Sequence, residues 1–233
     1  MRMKAVVGLA VALLLTGCDD FPKDAVGTLD RVRASQVVKV GAVHNPPWVV
    51  VSDGQVGGVE PALAARWASE LGVRIEFVPG PEEELVNALY ERELDVLLAG
   101  FKRQTPHSSK LALSQPYLTT RTFLAVAPGQ TPPAEWEGHR VAVAQDRLAL
   151  VGRIREMDAV PVPPDGTDPP PAMAGYEFEI RERGFETVGR ELQTEERVMA
   201  VVPGESALLL SLDVFLNEQN EEAIRAMAAE VAP

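Results

Sequence analysis

Three observations predict an α/β fold. Short apolar runs alternate with amphipathic helical stretches between residues 37 and 99, the order that builds a parallel sheet with right-handed crossovers. One run, Val96 to Ala99, is apolar throughout, as a strand buried on both faces is, and it breaks at Gly100 into a polar loop. The stretch Pro128-Gly129-Gln130-Thr131-Pro132-Pro133 then separates this series from a second one, which predicts a linker or hinge between globular lobes.

Taken in order, Val37 to Ala42 is the first strand, and Gly54 with Gly57-Gly58 marks a turn. From Pro61 to Leu71 apolar residues recur at helical spacing, with a proline where the first turn accepts one and Gly72 placed as a C-cap. Val73 to Val78 reads as a strand. Pro81 to Glu91 reads as a helix whose acidic first turn, Glu82 to Glu84, suits the positive end of the helix dipole. Leu94 to Ala99 is the central strand. Thr122 to Ala127 predicts another, Glu135 to Val143 a turn feeding a strand, and Leu148 to Met157 a helix. Val160-Pro161-Val162 is extended, and the six prolines between Pro161 and Pro171 exclude a helix or a central strand there. Ala172 to Ala174 is a short strand, Glu177 to Arg183 a helix ending at Gly184, and Val198 to Gly204 a returning strand. Ser206 to Ala229 forms two helices broken near Asn217 to Asn220.

The formal charge of −12, with Lys and Arg scattered along the chain, argues against a nucleic-acid partner, because phosphate binding needs a basic patch. The N-terminus combines Met1-Arg2-Met3-Lys4, an apolar run from Ala5 to Leu15 and Thr16-Gly17-Cys18. That order predicts an export signal over residues 1–17, with a run too short to span a bilayer. Leu15-Thr16-Gly17-Cys18 resembles a bacterial lipoprotein box, which implies that Cys18 is lipidated and becomes the first residue of the mature chain. Cys18 is the only cysteine, so an internal disulfide is excluded and modification is a sensible role. Residues 18–34 would then be a tether, and the mature chain would carry −14 after losing Arg2 and Lys4. Asp19 and Asp20 are similar to the signal that holds a lipoprotein at the inner membrane.

Ligands in open α/β sheets sit beyond the carboxyl ends of strands, which puts the loop after Gly100 forward as a site. It carries the cations Lys102 and Arg103, the hydroxyls of Thr105 and Ser108, and the imidazole of His107. Trp48, after Pro46-Pro47 at a strand end, either stacks on a ligand or seals the core. Arg147 at a helix start opposes the dipole, which an anion contact would offset.

Asp95-x-x-x-x-Gly100, the loop with Thr105-Pro106, and Ser114-x-Pro116-Tyr117 resemble the first lobe of the bacterial extracellular solute-binding proteins of family 3. Val38 to Gly41, Asn45-Pro46-Pro47-Trp48, Gly58 to Leu63 and Ile75 to Phe77 extend the resemblance. It implies a two-lobed periplasmic-binding-protein-like fold of type II with a shortened second lobe: residues 35–127 plus 196–231 as lobe one and 132–193 as lobe two. It also implies a monomer that captures a small polar or anionic, amino-acid-like solute and presents it to an ABC-type permease. The place would be the periplasmic face of the inner membrane or the extracytoplasmic face of the cell membrane. In such receptors an arginine in lobe one grips the α-carboxylate and a carboxylate in lobe two holds the ammonium. Here His107 or Ser108 falls at the arginine position, and Tyr176 or Glu177 at the acid position. Asp146-Arg147 replaces the usual Gly-Thr turn. These departures imply a ligand other than a plain α-amino acid, or a scaffold or sensory lipoprotein without a ligand. A dehydratase-like enzyme on the same fold is a further alternative, but the chain has no G-x-S-x-G, no phosphate-binding glycine loop and no helical metal-ligand pair. His44, His107 and Glu60 meeting across a cleft is the one catalytic grouping available. No catalytic residue, metal or cofactor is assigned.

Overall fold

Among the described residues, nine strands share one sheet whose middle is formed by two long crossing strands. The structure, a computed structural model, describes residues 24–164 and 170–231. On one side, β1 (Val37–Ala42) lies between β4 (Arg74–Pro79) and β5 (Val96–Lys102), all parallel. On the other, β8 (Arg140–Ala142) lies between β9 (Val160–Val162) and β10 (Ala172–Tyr176), again parallel. Two antiparallel strands, β7 (Leu118–Val126) and β11 (Glu186–Val201), join the sides. β11 pairs with β5 through its C-terminal half, and β7 pairs with β10. A short β6 (Ala112–Leu113) pairs with β11, while β2 (Val50–Ser52) and β3 (Gln55–Gly57) form a separate hairpin.

Helices cover both faces. In α2 (Val59–Leu71) the buried residues Val59, Leu63, Ala64, Trp67 and Ala68 fall on one face, and burying that stripe, more than local propensity, holds the helix. Gly72 ends it at φ 72°, its amide bonded back to Ala68 and Ser69 carbonyls, as a left-handed C-cap does. This helix packs on one face of β1 and β5 with α6 (Ser206–Asn217) and α7 (Glu221–Val231). On the opposite face α3 (Glu82–Tyr90) contributes Leu85, Val86 and Leu89 to a second cluster with Leu97 and Val198. In the other lobe α4 (Leu148–Arg155) buries Leu150, Val151 and Ile154 against β8 and β10, and α5 (Glu177–Glu182) follows β10 directly.

The hairpin β2–β3 and the short β6 were not expected from sequence, and four further differences bear on the site. The end of the expected tether is a helix, α1 (Thr28–Ser35), with Leu29 and Val32 in the core. Asp24 fastens it, since its carboxylate accepts from the amides of Leu29, Ala207 and Leu208 and so caps α1 and α6 together. β5 continues past Gly100 to Lys102 because the opposite strand shifts register between Val198 and Ala200. β7 begins at Leu118 rather than Thr122, and β11 begins at Glu186 rather than near Val198. The segment Glu186–Glu196 has little apolar periodicity, so nothing local marks it as a strand; pairing with β7 on both sides of a bulge makes it one. The signal segment and Cys18 lie outside the described residues. Among the described residues, no helix is long and apolar enough to cross a membrane.

Candidate functional site

A cavity of about 220 Å³ lies where β5 ends beside the crossing strands. Gly100, Lys102 and Asn45 border it from the first lobe, Asp146, Arg147 and Tyr176 from the second, and Thr122, Gln193, Glu195 and Arg197 from the two long strands. Gly100 is required there. Its φ is 62°, and a Cβ would stand 2.5 Å from Trp48 Cδ1 and 2.7 Å from Asn45 Nδ2, closer than non-bonded atoms approach.

Both polar groups of Gly100 are used. Its amide donates to Glu60 Oε2 at 3.0 Å, and its carbonyl accepts from Arg197 Nη1 at 2.8 Å. Glu60 is fully buried and also accepts from the Tyr117 hydroxyl at 2.8 Å. Burial pushes its carboxyl up to about 7, partly countered by the Gly100 amide, the Tyr117 hydroxyl and the charge of Arg197. Burial, together with the neighbouring Glu60 charge, raises the Tyr117 hydroxyl well above the usual tyrosine value.

Arg197 is the central cation, only 2% exposed. Its Nη2 donates to Tyr176 Oη at 2.6 Å and pairs with Glu195, and the guanidinium carbon lies 4.7 Å from the centroid of the Trp48 ring. Its Nε–H is buried and meets no acceptor among the described residues. Glu195 also receives Lys102 and Gln193. Arg147 forks Glu179, one bond at 2.6 Å and a second through Nη2, and lies 4.1 Å from the centroid of the Tyr176 ring. Glu179 accepts the Tyr176 amide at 2.9 Å as well, capping α5. Burial pulls the Arg147 guanidinium down, but the Glu179 hydrogen bonds and charge outweigh it and leave it above the ordinary arginine value.

Of the residues nominated from sequence, Gly100, Lys102, Asp146, Arg147 and Tyr176 border this cavity. The others lie elsewhere. Trp48 is 1% exposed and packs edge-on against Tyr117, Tyr176 and Phe178 beneath Arg197, so it seals the core and supports the site from below. Arg103 pairs with Glu196 at 2.6 Å on the surface. Thr105 is buried, its Oγ1 accepting from the His107 amide at 3.4 Å, and Ser108 is exposed. His107 Nε2 faces Glu82 at 3.0 Å, whereas His44 Nδ1 accepts from the Val51 amide, so these two imidazoles are held apart from Glu60. The loop after Lys102 turns outward toward α3 and β11, and this is why its polar groups miss the cavity.

Asn45, Thr122, Gln193, Glu195 and Arg197 were not nominated, nor was Glu60 given more than a passing role. A signal existed for three of them, since Gln193, Glu195 and Arg197 alternate as residues on one face of a strand do. Among the described residues, no group of three or more His, Cys, Asp and Glu side chains could hold a metal ion.

A sequence profile of the bacterial extracellular solute-binding proteins, family 3, matches residues 38–229. Among curated proteins, the membrane-bound lytic murein transglycosylase F of Idiomarina loihiensis is 31% identical over 110 residues, which is 47% of this chain. The chain spans about a quarter of that relative's length, the match covering 24% of it. Among solved structures, an ancestral cationic amino acid solute binding protein superposes with a TM-score of 0.69 at 19% identity, covering 87% of this chain and 98% of the other. The L-cystine solute receptor of Neisseria gonorrhoeae, in its unliganded open conformation, gives 0.65 at 16% identity over 86% of this chain and 96% of the receptor. These likenesses show an α/β fold of the periplasmic-binding-protein type.

Proposed function

We propose, for a chain that belongs to the bacterial extracellular solute-binding proteins, family 3, that it captures a small polar or anionic, amino-acid-like solute between its lobes and delivers it to an ABC-type importer. The observation that carries this reading is the cavity at Gly100, bordered by charged side chains from both lobes and from the strands between them. A solute there touches both halves only when they are closed together, and that differential affinity is what drives a hinge. In support, two of the solved structures it resembles are an ancestral cationic amino acid solute binding protein and an L-cystine solute receptor. Lipidation at Cys18 would hold the protein at the extracytoplasmic face of a membrane, within reach of a permease. The reading is non-catalytic. Its support is that Glu60, the buried carboxyl brought near neutrality, is closed off behind Gly100 and is not among the groups bordering the cavity. Thermal-shift screening of the full chain against amino acids, organic acids and small anions tests it. Stabilisation by a member of the set is the expected result, and a flat response to all of them would overturn it.

A second reading has its own observation. The cations around the cavity already have partners within the chain, Arg147 in Glu179 and both Arg197 and Lys102 in Glu195, as in a scaffold or sensor that kept the fold without a ligand. The transglycosylase relatives, in which a region of this type is part of a much longer protein, fit that use. A protein partner bound equally well by chain variants with a blocked cavity is the result it expects.

A further inference from the structure

One residue at the border of the cavity, Arg197, carries a buried donor whose demand is unmet. Among the described residues, the Arg197 Nε–H is the buried side-chain polar atom without a partner, and a buried unpaired donor is costly enough that such groups are normally satisfied. The demand is for an acceptor oxygen. A guanidinium presents Nε and Nη2 as a parallel pair of donors that matches the two oxygens of one carboxylate. Glu195 occupies only the Nη2 side of that pair, shared with the Tyr176 hydroxyl, and it sits two residues away on the same strand. The carboxylate supplied by the chain itself therefore fills half of the fork.

Resting on the solute-binding reading, we propose that Arg197, rather than any residue of the loop after Gly100, is the anchor for a small monocarboxylate in the cleft, and that Glu195 is the internal carboxylate the ligand displaces. Arg147 does not compete for this role, because its fork is already spent on Glu179. Glu195 is not stranded by the exchange, since Lys102 and Gln193 still hold it. Three cations, Lys102, Arg147 and Arg197, border the cavity, and three carboxylates balance them: Asp146 and Glu195 at its border and Glu179 on Arg147. With no positive charge in excess, a monoanion that takes Glu195's place on Arg197 is favoured; a more highly charged anion such as phosphate would face Asp146 and Glu195 at short range. A cavity of about 220 Å³ limits the ligand to a small molecule.

The test titrates the full chain, and its Glu195→Gln and Arg197→Lys variants, with sodium acetate at constant ionic strength, with inorganic phosphate as the contrasting anion. The readout is the arginine Nε–H resonances in nitrogen-15 NMR, with far-UV circular dichroism as the check on folding. Acetate is expected to move the Arg197 Nε–H signal. Removing the internal competitor should tighten acetate binding about tenfold in Glu195→Gln, and loss of the fork should weaken it about as much in Arg197→Lys. Phosphate should bind less well than acetate. The proposal is overturned if Glu195→Gln binds acetate no more tightly than the native chain, and this comparison decides the matter even if Arg197→Lys fails to fold. It is also overturned if Arg197→Lys retains native affinity or if phosphate outcompetes acetate. A solute found by thermal shift whose affinity ignores Arg197→Lys would sink this assignment and leave the transport reading standing. Acetate captured at Arg197 with no response to any biological solute would do the reverse.

Discussion

Replacing Glu60 with Gln should make the protein more stable, and more so at high pH. Glu60 is fully buried, accepts from the Gly100 amide and the Tyr117 hydroxyl, and has its carboxyl pushed up to about 7 from 4.5. A raised carboxyl means that between these values the folded state holds a proton the unfolded chain has released, so stability falls as pH rises from about 4.5 to 7 and is level above that. Each tenfold difference in proton affinity between the folded and unfolded chains is worth about 1.4 kcal/mol, so burying this carboxyl costs the fold about 3 kcal/mol at pH 8 and about 1 kcal/mol at pH 5. Glutamine keeps the volume. Its Oε1 can accept from Gly100, and its Nε2 can donate to a rotated Tyr117 hydroxyl. The variant should therefore gain about 2 kcal/mol more at pH 8 than at pH 5, or several degrees in Tm for a chain of this size. Urea unfolding of both proteins across pH 5 to 8 measures it. Parallel curves for the two would refute the reasoning, because they would mean that Glu60 titrates alike in the folded and unfolded chains.

Other substitutions probe the same architecture. Gly100→Ala should destabilise by about 2 kcal/mol or more in urea unfolding, since a left-handed backbone and a 2.5 Å approach to Trp48 act together. Arg147→Lys loses the fork on Glu179, which also caps α5, and should cost about 1–3 kcal/mol by the same measurement. Ile154→Ala, which empties a fully buried site under α4, should cost about 2–5 kcal/mol and shows whether the second lobe unfolds with the first or ahead of it. Arg103→Ala removes an ion pair exposed on both sides and should change stability by less than about 0.5 kcal/mol and leave solute affinity unaltered.

Much of the fold was legible because its signals are local. The uninterrupted Val96–Ala99 run marked a strand buried on both faces, and the spacing from Pro61 to Leu71 with Gly72 behind it marked a capped helix. Gly100 was legible as an interruption of an apolar run, although the strand carries on past it to Lys102. The groups around it were harder to read. Lys102 follows Gly100 closely and stays at the cavity, but Arg103 and His107, one and five residues further on, are drawn away by Glu196 and Glu82. Sequence order brings a loop close to a site without saying which way its side chains turn.

Sequence alone determined the alternation of strand and helix from Val37 to Ala99, the family likeness and the glycine about which the cleft is arranged, because each rests on residues within a few positions of one another. Tertiary structure decided that a polar stretch with no apolar rhythm, Glu186–Glu196, becomes a strand, and that Arg197 reaches across 97 residues to the Gly100 carbonyl. The physical reason is that β pairing is satisfied by a distant backbone. Hydrophobic patterning records which side chains avoid water, and it is silent about which neighbour a charged one will find.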